Sequence, residues 1–232
     1  MGARGNDDAT VVSSQPQILT APAATAVAGL LFFGFYVGAS ALIHAGFGAS
    51  PVTSLTTTGL ANVSPGPIRI GLYLMPFMVI TFLWFIGVAR AQFGRHEDQL
   101  FTTVFLGTGF LSMAMVLVGA GMATAAAAKG SGIGQLDQAT RSLLARTIWV
   151  FWYVLAPKLG GCFILVTTSL LFRVKFLPKW LTVVSVVVGY ATLLAVTRFT
   201  WSLYALPCWV AAISILVLLR EYGPSGRRAA AG

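Results

Sequence analysis

The sequence predicts an all-α fold, an integral membrane bundle of six transmembrane helices with both termini in the cytoplasm. Of its 232 residues, 57% are hydrophobic and only 9% are charged, whereas about 25% are charged in a typical soluble domain. The apolar residues form long continuous runs, which favours helices over a transmembrane barrel of short alternating strands. This composition excludes a soluble enzyme or a nucleic-acid-binding module as the main body.

A helix needs about 20 apolar residues to cross the hydrocarbon core of a bilayer. Six runs meet this requirement: residues 22–47, 70–89, 101–128, 147–172, 180–197 and 201–219. The fifth and sixth are separated only by residues 198–200, which predicts a tight hairpin. Residues 1–20 and 221–232 are predicted to be disordered cytoplasmic tails of one transmembrane domain at 21–220.

The basic residues predict the orientation, because short cytoplasmic loops carry an excess of Lys and Arg. With a cytoplasmic amino terminus, nine basic residues lie inside: Arg4, Arg90, Arg95, Arg173, Lys175, Lys179, Arg220, Arg227 and Arg228. Five lie outside: Arg69, Lys129, Arg141, Arg146 and Arg198. The outer segment 129–146 begins with a glycine-rich turn and then becomes helix-like, with Asp137 and Arg141 one turn apart. It predicts a short interfacial helix leading into the fourth span.

Lys158 is the basic residue that the sequence places near the middle of a span, the fourth. A lysine at the centre of a bilayer costs about 2.5–3.5 kcal/mol on insertion scales. Pro157 removes a backbone donor, and Gly160 and Gly161 allow another segment to approach closely. The sequence therefore predicts a kinked or locally opened helix, in which Lys158 faces a polar cavity and binds an anionic group.

Two alternatives remain for Lys158, because the acidic residues all lie outside the predicted spans: Asp7, Asp8, Glu97, Asp98, Asp137 and Glu221. In a purely structural role, Lys158 is neutral, extends toward the headgroups, or donates to carbonyls freed by Pro157. In the other alternative, a partner subunit supplies the carboxylate.

The two histidines, His44 and His96, fall on opposite sides of the membrane in this topology. They cannot share a haem iron, and neither has the three or four ligands that zinc requires, so no metal or cofactor is predicted. His44 is interpreted as a polar residue bonded to a neighbouring helix, with ligand binding or proton relay as the alternative. The chain shows no protease motif, and its predicted spans hold no acidic cluster for metal-assisted phosphotransfer. We predict that it is not an enzyme.

Gly34 and Gly38 form a GxxxG pattern in the first span. Such patterns mark close helix packing, within a chain more often than between chains. Cys162 and Cys208 lie inside apolar runs and form no CxxC motif, so no disulfide framework is predicted.

The segment 169–181, SLLFRVKFLPKWL, ends a helix at Arg173 and continues through a Leu-Pro-basic-Trp-Leu turn. Together with residues 136–141 and 206–220, it resembles small bacterial membrane proteins of actinobacterial type, similar to the domain of unknown function 4386 family. The resemblance covers residues 136–220 and implies a six-helix membrane bundle. It implies no activity, and Lys158 is not part of its pattern.

The leading hypothesis is a multi-pass protein of the cell membrane that acts as a non-enzymatic accessory component. Its expected partners are the lipid bilayer and a membrane protein or a second copy of the chain, and no nucleic acid. The alternative is a small permease, or a carrier of lipids or anions, that uses Lys158 to hold its ligand.

Overall fold

The computed structural model describes residues 21–47, 64–93, 99–127, 137–194 and 201–222. Every regular element in these ranges is helical. In chain order they are α1 (Ala21–Phe47), α2 (Pro65–Phe93), α3 (Gln99–Ala127), α4 (Gln138–Trp149), a π-helical segment (Val150–Leu155), α5 (Ala156–Arg173), α6 (Lys179–Leu194) and α7 (Ser202–Tyr222). The all-α prediction is confirmed for this part of the chain.

Five helical stretches of the described residues are long and apolar enough to cross a membrane, namely Ala23–Gly46, Pro65–Arg90, Thr102–Ala125, Gln138–Arg173 and Ser202–Arg220. The remaining apolar helix, α6, corresponds to the fifth predicted span and has only 16 described residues. Residues 195–197, which the sequence assigned to the same span, lie outside the described residues. So do the predicted amino-terminal tail, the 198–200 hairpin and His96. The cytoplasmic location of both termini stays a prediction.

The longest helical element joins α4, the π-helical segment and α5 without interruption over 36 residues. At 1.5 Å per residue it is about 54 Å long, well beyond the roughly 30 Å of hydrocarbon. Its first turn is capped by Asp137, whose carboxylate accepts bonds from the backbone N–H groups of Ala139 and Thr140. The helix thus begins at Gln138, nine residues before the predicted span, and residues 138–140 are exposed.

The bundle is organised around α5, which packs against α3, α6 and α7, while α1 packs against α2 and α7. The fully buried ring of Phe163 lies at the centre of the core. Its centroid is 5.0 Å from that of Phe105, 5.5 Å from Phe82 and 6.4 Å from Trp209. Four helices therefore meet through aromatic contacts in the interior of the bundle.

The close contact between α1 and α2 uses glycines other than the GxxxG pair. A Cβ atom at Gly71 would lie 2.6 Å from the Ile43 side chain, and one at Gly46 would overlap the side chain of Ile68. By contrast, a Cβ at Gly34 would meet no atom within 4 Å, and one at Gly38 would make only an ordinary contact. Gly34 and Gly38 therefore do not form a tight packing site within the described chain.

The turn between α5 and α6 closes α5 with a Schellman motif. The N–H of Phe176 donates to the carbonyl of Leu171 at 2.9 Å, and that of Lys175 to Phe172 at 3.0 Å. Lys175 has a φ of 53°, the left-handed conformation that glycine usually supplies at this position. This turn lies within the segment on which the family resemblance depends.

Candidate functional site

The π-helical segment Val150–Leu155 lies directly before Pro157. In an α-helix the proline ring would collide with the carbonyl four residues earlier, and proline has no N–H to donate. The wider turn accommodates the ring, and the N–H of Ala156 donates to the carbonyl of Phe151, five residues back. The local opening that Pro157 predicts is thus a π-helical turn, a distortion frequently found at functional sites.

The π-helical segment brings Tyr153 against His44 near the end of α1. The Nδ1 atom of His44 lies 2.6 Å from the backbone carbonyl of Ser40, and its Nε2 atom contacts the Tyr153 hydroxyl. Because a carbonyl only accepts, Nδ1 carries the proton of the neutral ring. Nε2 then accepts from the Tyr153 O–H. Both ring nitrogens of His44 are therefore hydrogen-bonded, and the imidazole joins α1 to the π-helical segment.

Further polar and aromatic groups surround this pair. The Trp152 ring lies 5.5 Å from the imidazole between centroids, and the buried Tyr36 hydroxyl donates to the carbonyl of Leu203 at 3.0 Å. Tyr204 lies close enough to interact electrostatically with Tyr36 and Tyr153. We name one group the His44 cluster: Tyr36, Ser40, His44, Trp152 and Tyr153. It occupies the end of the bundle where α1 ends and α7 begins.

Two side chains of the His44 cluster bury a polar atom that has no hydrogen-bond partner among the described residues. They are Ser40, through its Oγ atom, and Trp152, through Nε1. The side chains are only 1% and 2% exposed, respectively.

Lys158 lies one and a half turns beyond Tyr153, half-buried between α5 and α6. Its ammonium donates to the backbone carbonyl of Leu193 at 3.1 Å. Leu193 belongs to the last described turn of α6. The carbonyl that Lys158 uses is therefore on a neighbouring helix, whereas the sequence suggested carbonyls near Pro157.

The two glycines after Lys158 lie where other helices approach α5. A Cβ at Gly161 would lie 2.9 Å from the carbonyl oxygen of Gly189 on α6. A Cβ at Gly160 would lie 3.3 Å from Leu206 of α7 and 3.4 Å from the hydroxyl of Ser112 of α3. Gly161 thereby lets the α6 backbone come close enough for its carbonyl to meet Lys158.

The described residues contain no group of three or more His, Cys, Asp or Glu side chains that could hold a metal ion. His44 and Lys158, the two predicted ligand-binding residues, have separate partners on different helices. The structure therefore describes two polar features at this end of the bundle.

No protein-family model, curated protein or solved structure matches this chain. The resemblance to the domain of unknown function 4386 family stays a prediction, and no residue role is transferred from a relative.

Sequence reasoning did not identify Tyr36, Ser40, Trp152 and Tyr153 as companions of His44. Trp152 and Tyr153 fall near the start of the predicted fourth span, where aromatic residues are typical of an interfacial belt, so the sequence alone does not point to a contact with His44. One available signal was the proline at position 157, which makes a widened turn just before it favourable.

Proposed function

We propose that this chain is a non-enzymatic component of the cell membrane that binds a partner whose membrane span carries a carboxylate facing Lys158. One observation carries the proposal. The Lys158 ammonium is half-buried within an apolar helix, and it donates a hydrogen bond to the uncharged backbone carbonyl of Leu193. No acidic residue lies within the helical stretch from Gln138 to Arg173 that holds it.

The carbonyl satisfies one of the three N–H donors of an ammonium group, and it leaves the charge uncompensated. A charge in a membrane span is expensive and is usually paired or functional. A carboxylate from a second polypeptide would supply the opposite charge in a medium of low dielectric constant, where the attraction is strong. The ion pair would also select a partner with an acid at the matching depth.

The position of α6 supports a partner that approaches beside Lys158. This helix packs mainly on α5 and has few contacts with α7. Its opposite face exposes large apolar side chains at helical spacing: Val183, Val187, Tyr190 and Leu194. A partner helix could lie along this face and reach the ammonium at the boundary between α5 and α6.

The alternative function is a small permease, or a carrier of lipids or anions. It is supported by the same ammonium, because an anionic ligand could take the place of the partner's carboxylate. The aromatic contacts around Phe163 fill the centre of the bundle, so they favour a partner at the edge over a ligand in the middle.

The two functions are separated by purifying the tagged protein in a gentle detergent and identifying bound proteins and lipids by mass spectrometry. We expect a stoichiometric membrane protein that is lost in Lys158→Met. The matched control is Lys179→Met, an exposed lysine at the other end of α6, which should retain the partner. A homogeneous protein that instead carries one anionic lipid or metabolite, lost only in Lys158→Met, would support the carrier. Retention of the partner by Lys158→Met would refute the proposed contact.

A further inference from the structure

We propose that an apolar cavity at the basic end of the bundle binds the hydrocarbon chain of an anionic amphiphile, whose head group lies against Arg90. The basic end is the one where α2, α5 and α7 terminate, and its exposed cations are Arg90, Arg173, Lys175, Lys179 and Arg220. Lys158 lies near the opposite end, in the first turn of α5. This site is therefore independent of the proposed function, and either can fail without the other.

The cavity lies inside a ring of five helices. In this ring α1 contacts α2 and α7, α3 contacts α2 and α5, and α5 contacts α7. Each helix contributes to the wall, through Thr25, Phe85, Phe105, Leu170 and Val217 respectively for α1, α2, α3, α5 and α7. The ring of Phe105 also stacks on Phe163, so the cavity borders on the aromatic core and lies between that core and the basic end.

The width and polarity of the cavity favour a single hydrocarbon chain. Its empty space is about 400 Å³ with the open side included, but only about 20 Å³ lies at least a water radius from the surrounding atoms. The wall is almost wholly apolar, since the hydroxyl of Thr167 is turned to its own helix and donates to the carbonyl of Phe163. Apolar cavities stay dry and take apolar ligands, and a space this narrow excludes sugars and bases.

Arginines follow the wall on three helices at the basic end. Arg90 is itself a wall residue and is exposed, so it lies where the cavity meets the surface. Arg173 comes three residues after Leu170, and Arg220 three residues after Val217. Residues three apart share a helix face, so all three guanidinium groups belong to the faces that surround the cavity.

The guanidinium of Arg90 is suited to an anionic head group. Guanidinium groups bind carboxylates and phosphates through paired hydrogen bonds. Among the side chains that the structure describes, the one carboxylate is that of Asp137, which caps α4 beyond the other end of the bundle. A ligand with its chain in the cavity and its anion at Arg90 would thus satisfy both the apolar wall and the charge at its mouth.

The direct test measures binding of radiolabelled dodecanoate, with its carboxylate ionised, to the full chain in phosphatidylcholine nanodiscs. Empty nanodiscs give the background. We expect saturable binding of one dodecanoate per chain, weakened at least about tenfold in Arg90→Gln because a charge-assisted hydrogen bond is lost. The matched control is Arg146→Gln, an exposed arginine of α4, which should bind as the unsubstituted protein does. Equal binding by Arg90→Gln, or no saturable binding at all, would overturn the proposal.

Two further measurements assign the chain and the source of the ligand. Ala89→Leu adds volume to the cavity wall and should abolish saturable binding, whereas Ala41→Leu at an exposed position of α1 should not. If Ala89→Leu fails to fold through overpacking, the exposed Arg90→Gln still decides. Displacement of dodecanoate by phosphatidylglycerol in the nanodisc would identify a membrane lipid as the source, and lack of displacement a free fatty acid. Loss of binding in Lys158→Met but not in Arg90→Gln would refute this site.

Discussion

The ammonium of Lys158 and the backbone carbonyl of Leu193 form a 3.1 Å hydrogen bond between α5 and the last described turn of α6. The bond ties α6 to the central helix α5, one turn from the point where Gly161 lies against the Gly189 carbonyl of α6. The carbonyl accepts one N–H of the ammonium but has no charge to balance that of the lysine. The contact between α5 and α6 and the proposed binding of a partner thus depend on the same side chain, Lys158.

Lys158→Met should change the stability of the isolated protein by less than about 1 kcal/mol. A hydrogen bond from a charged donor is worth about 1.5–3 kcal/mol, and relief from placing a charge in the membrane is of similar size, so the two effects largely cancel. Thermal unfolding of purified Lys158→Met, compared with Lys179→Met, measures the difference. A large loss of stability would mean that the lysine is chiefly a structural cap for α6.

Tyr153→Phe should destabilise the protein by about 1–3 kcal/mol, because Nε2 of His44 loses its donor while staying buried. Tyr190→Phe is the control, since Tyr190 is 55% exposed on α6 and should have no effect. Both changes remove one hydroxyl from one tyrosine. Equal melting temperatures for the two variants would show that the His44–Tyr153 bond does not hold α1 to the π-helical segment.

Gly161→Ala should cost about 1–3 kcal/mol, since the added methyl would lie 2.9 Å from the Gly189 carbonyl oxygen. Gly34→Ala should be neutral or slightly stabilising, because alanine is the better helix former and nothing lies within 4 Å. Denaturant or thermal unfolding distinguishes the two. If Gly34→Ala instead disrupts a dimer in cross-linking, the GxxxG pattern acts between chains.

Lys175→Gly should stabilise the protein by about 1 kcal/mol, since lysine at a φ of 53° bears a steric penalty that glycine avoids. Lys179→Gly, at the start of α6, should be destabilising or neutral and serves as the control. The melting temperatures of the two variants should therefore move apart. A lower melting temperature for Lys175→Gly would indicate that the lysine side chain itself has an important contact.

The first turn of α4 should loosen in acid. Hydrogen bonds from the Thr140 side chain and from backbone N–H groups lower the pKa of Asp137 below its ordinary value of 3.8. A depressed folded-state pKa means that the stabilisation is complete above the unfolded value and is lost as the pH falls through the folded one. The protection of the Ala139 and Thr140 amides, which is their exchange rate compared with the intrinsic rate at the same pH, should therefore fall below about pH 4.

Thr140→Val tests the cause, because it removes the hydroxyl that contributes most to the lowered pKa. The Asp137 pKa should move back toward 3.8, and loosening should begin at a higher pH. An unchanged titration of Asp137 in this variant, followed by NMR, would show that the threonine hydroxyl does not set the pKa.

The fold class could be predicted because it depends on local composition. Long apolar runs predict membrane helices wherever they occur, and the observed boundaries of α1 and α3 lie within a few residues of the predicted spans. The sequence also predicted a helix-like segment that leads into the fourth span at residue 147. α4 begins at Gln138 and continues without a break through the π-helical segment into α5, so the helix is longer than the apolar run that predicts the span.

The sequence by itself determined a helical fold with helices apolar enough to cross a membrane, the position of Lys158 within an apolar run, and the disruption that Pro157 introduces. Only the tertiary structure decided that His44 meets Tyr153, that Lys158 binds Leu193, and that the α1–α2 contact uses Gly46 and Gly71 rather than Gly34. The reason is chain separation: His44 and Tyr153 are 109 residues apart. Composition and periodicity describe each helix, whereas the rotation of one helix against another depends on how all their side chains pack together.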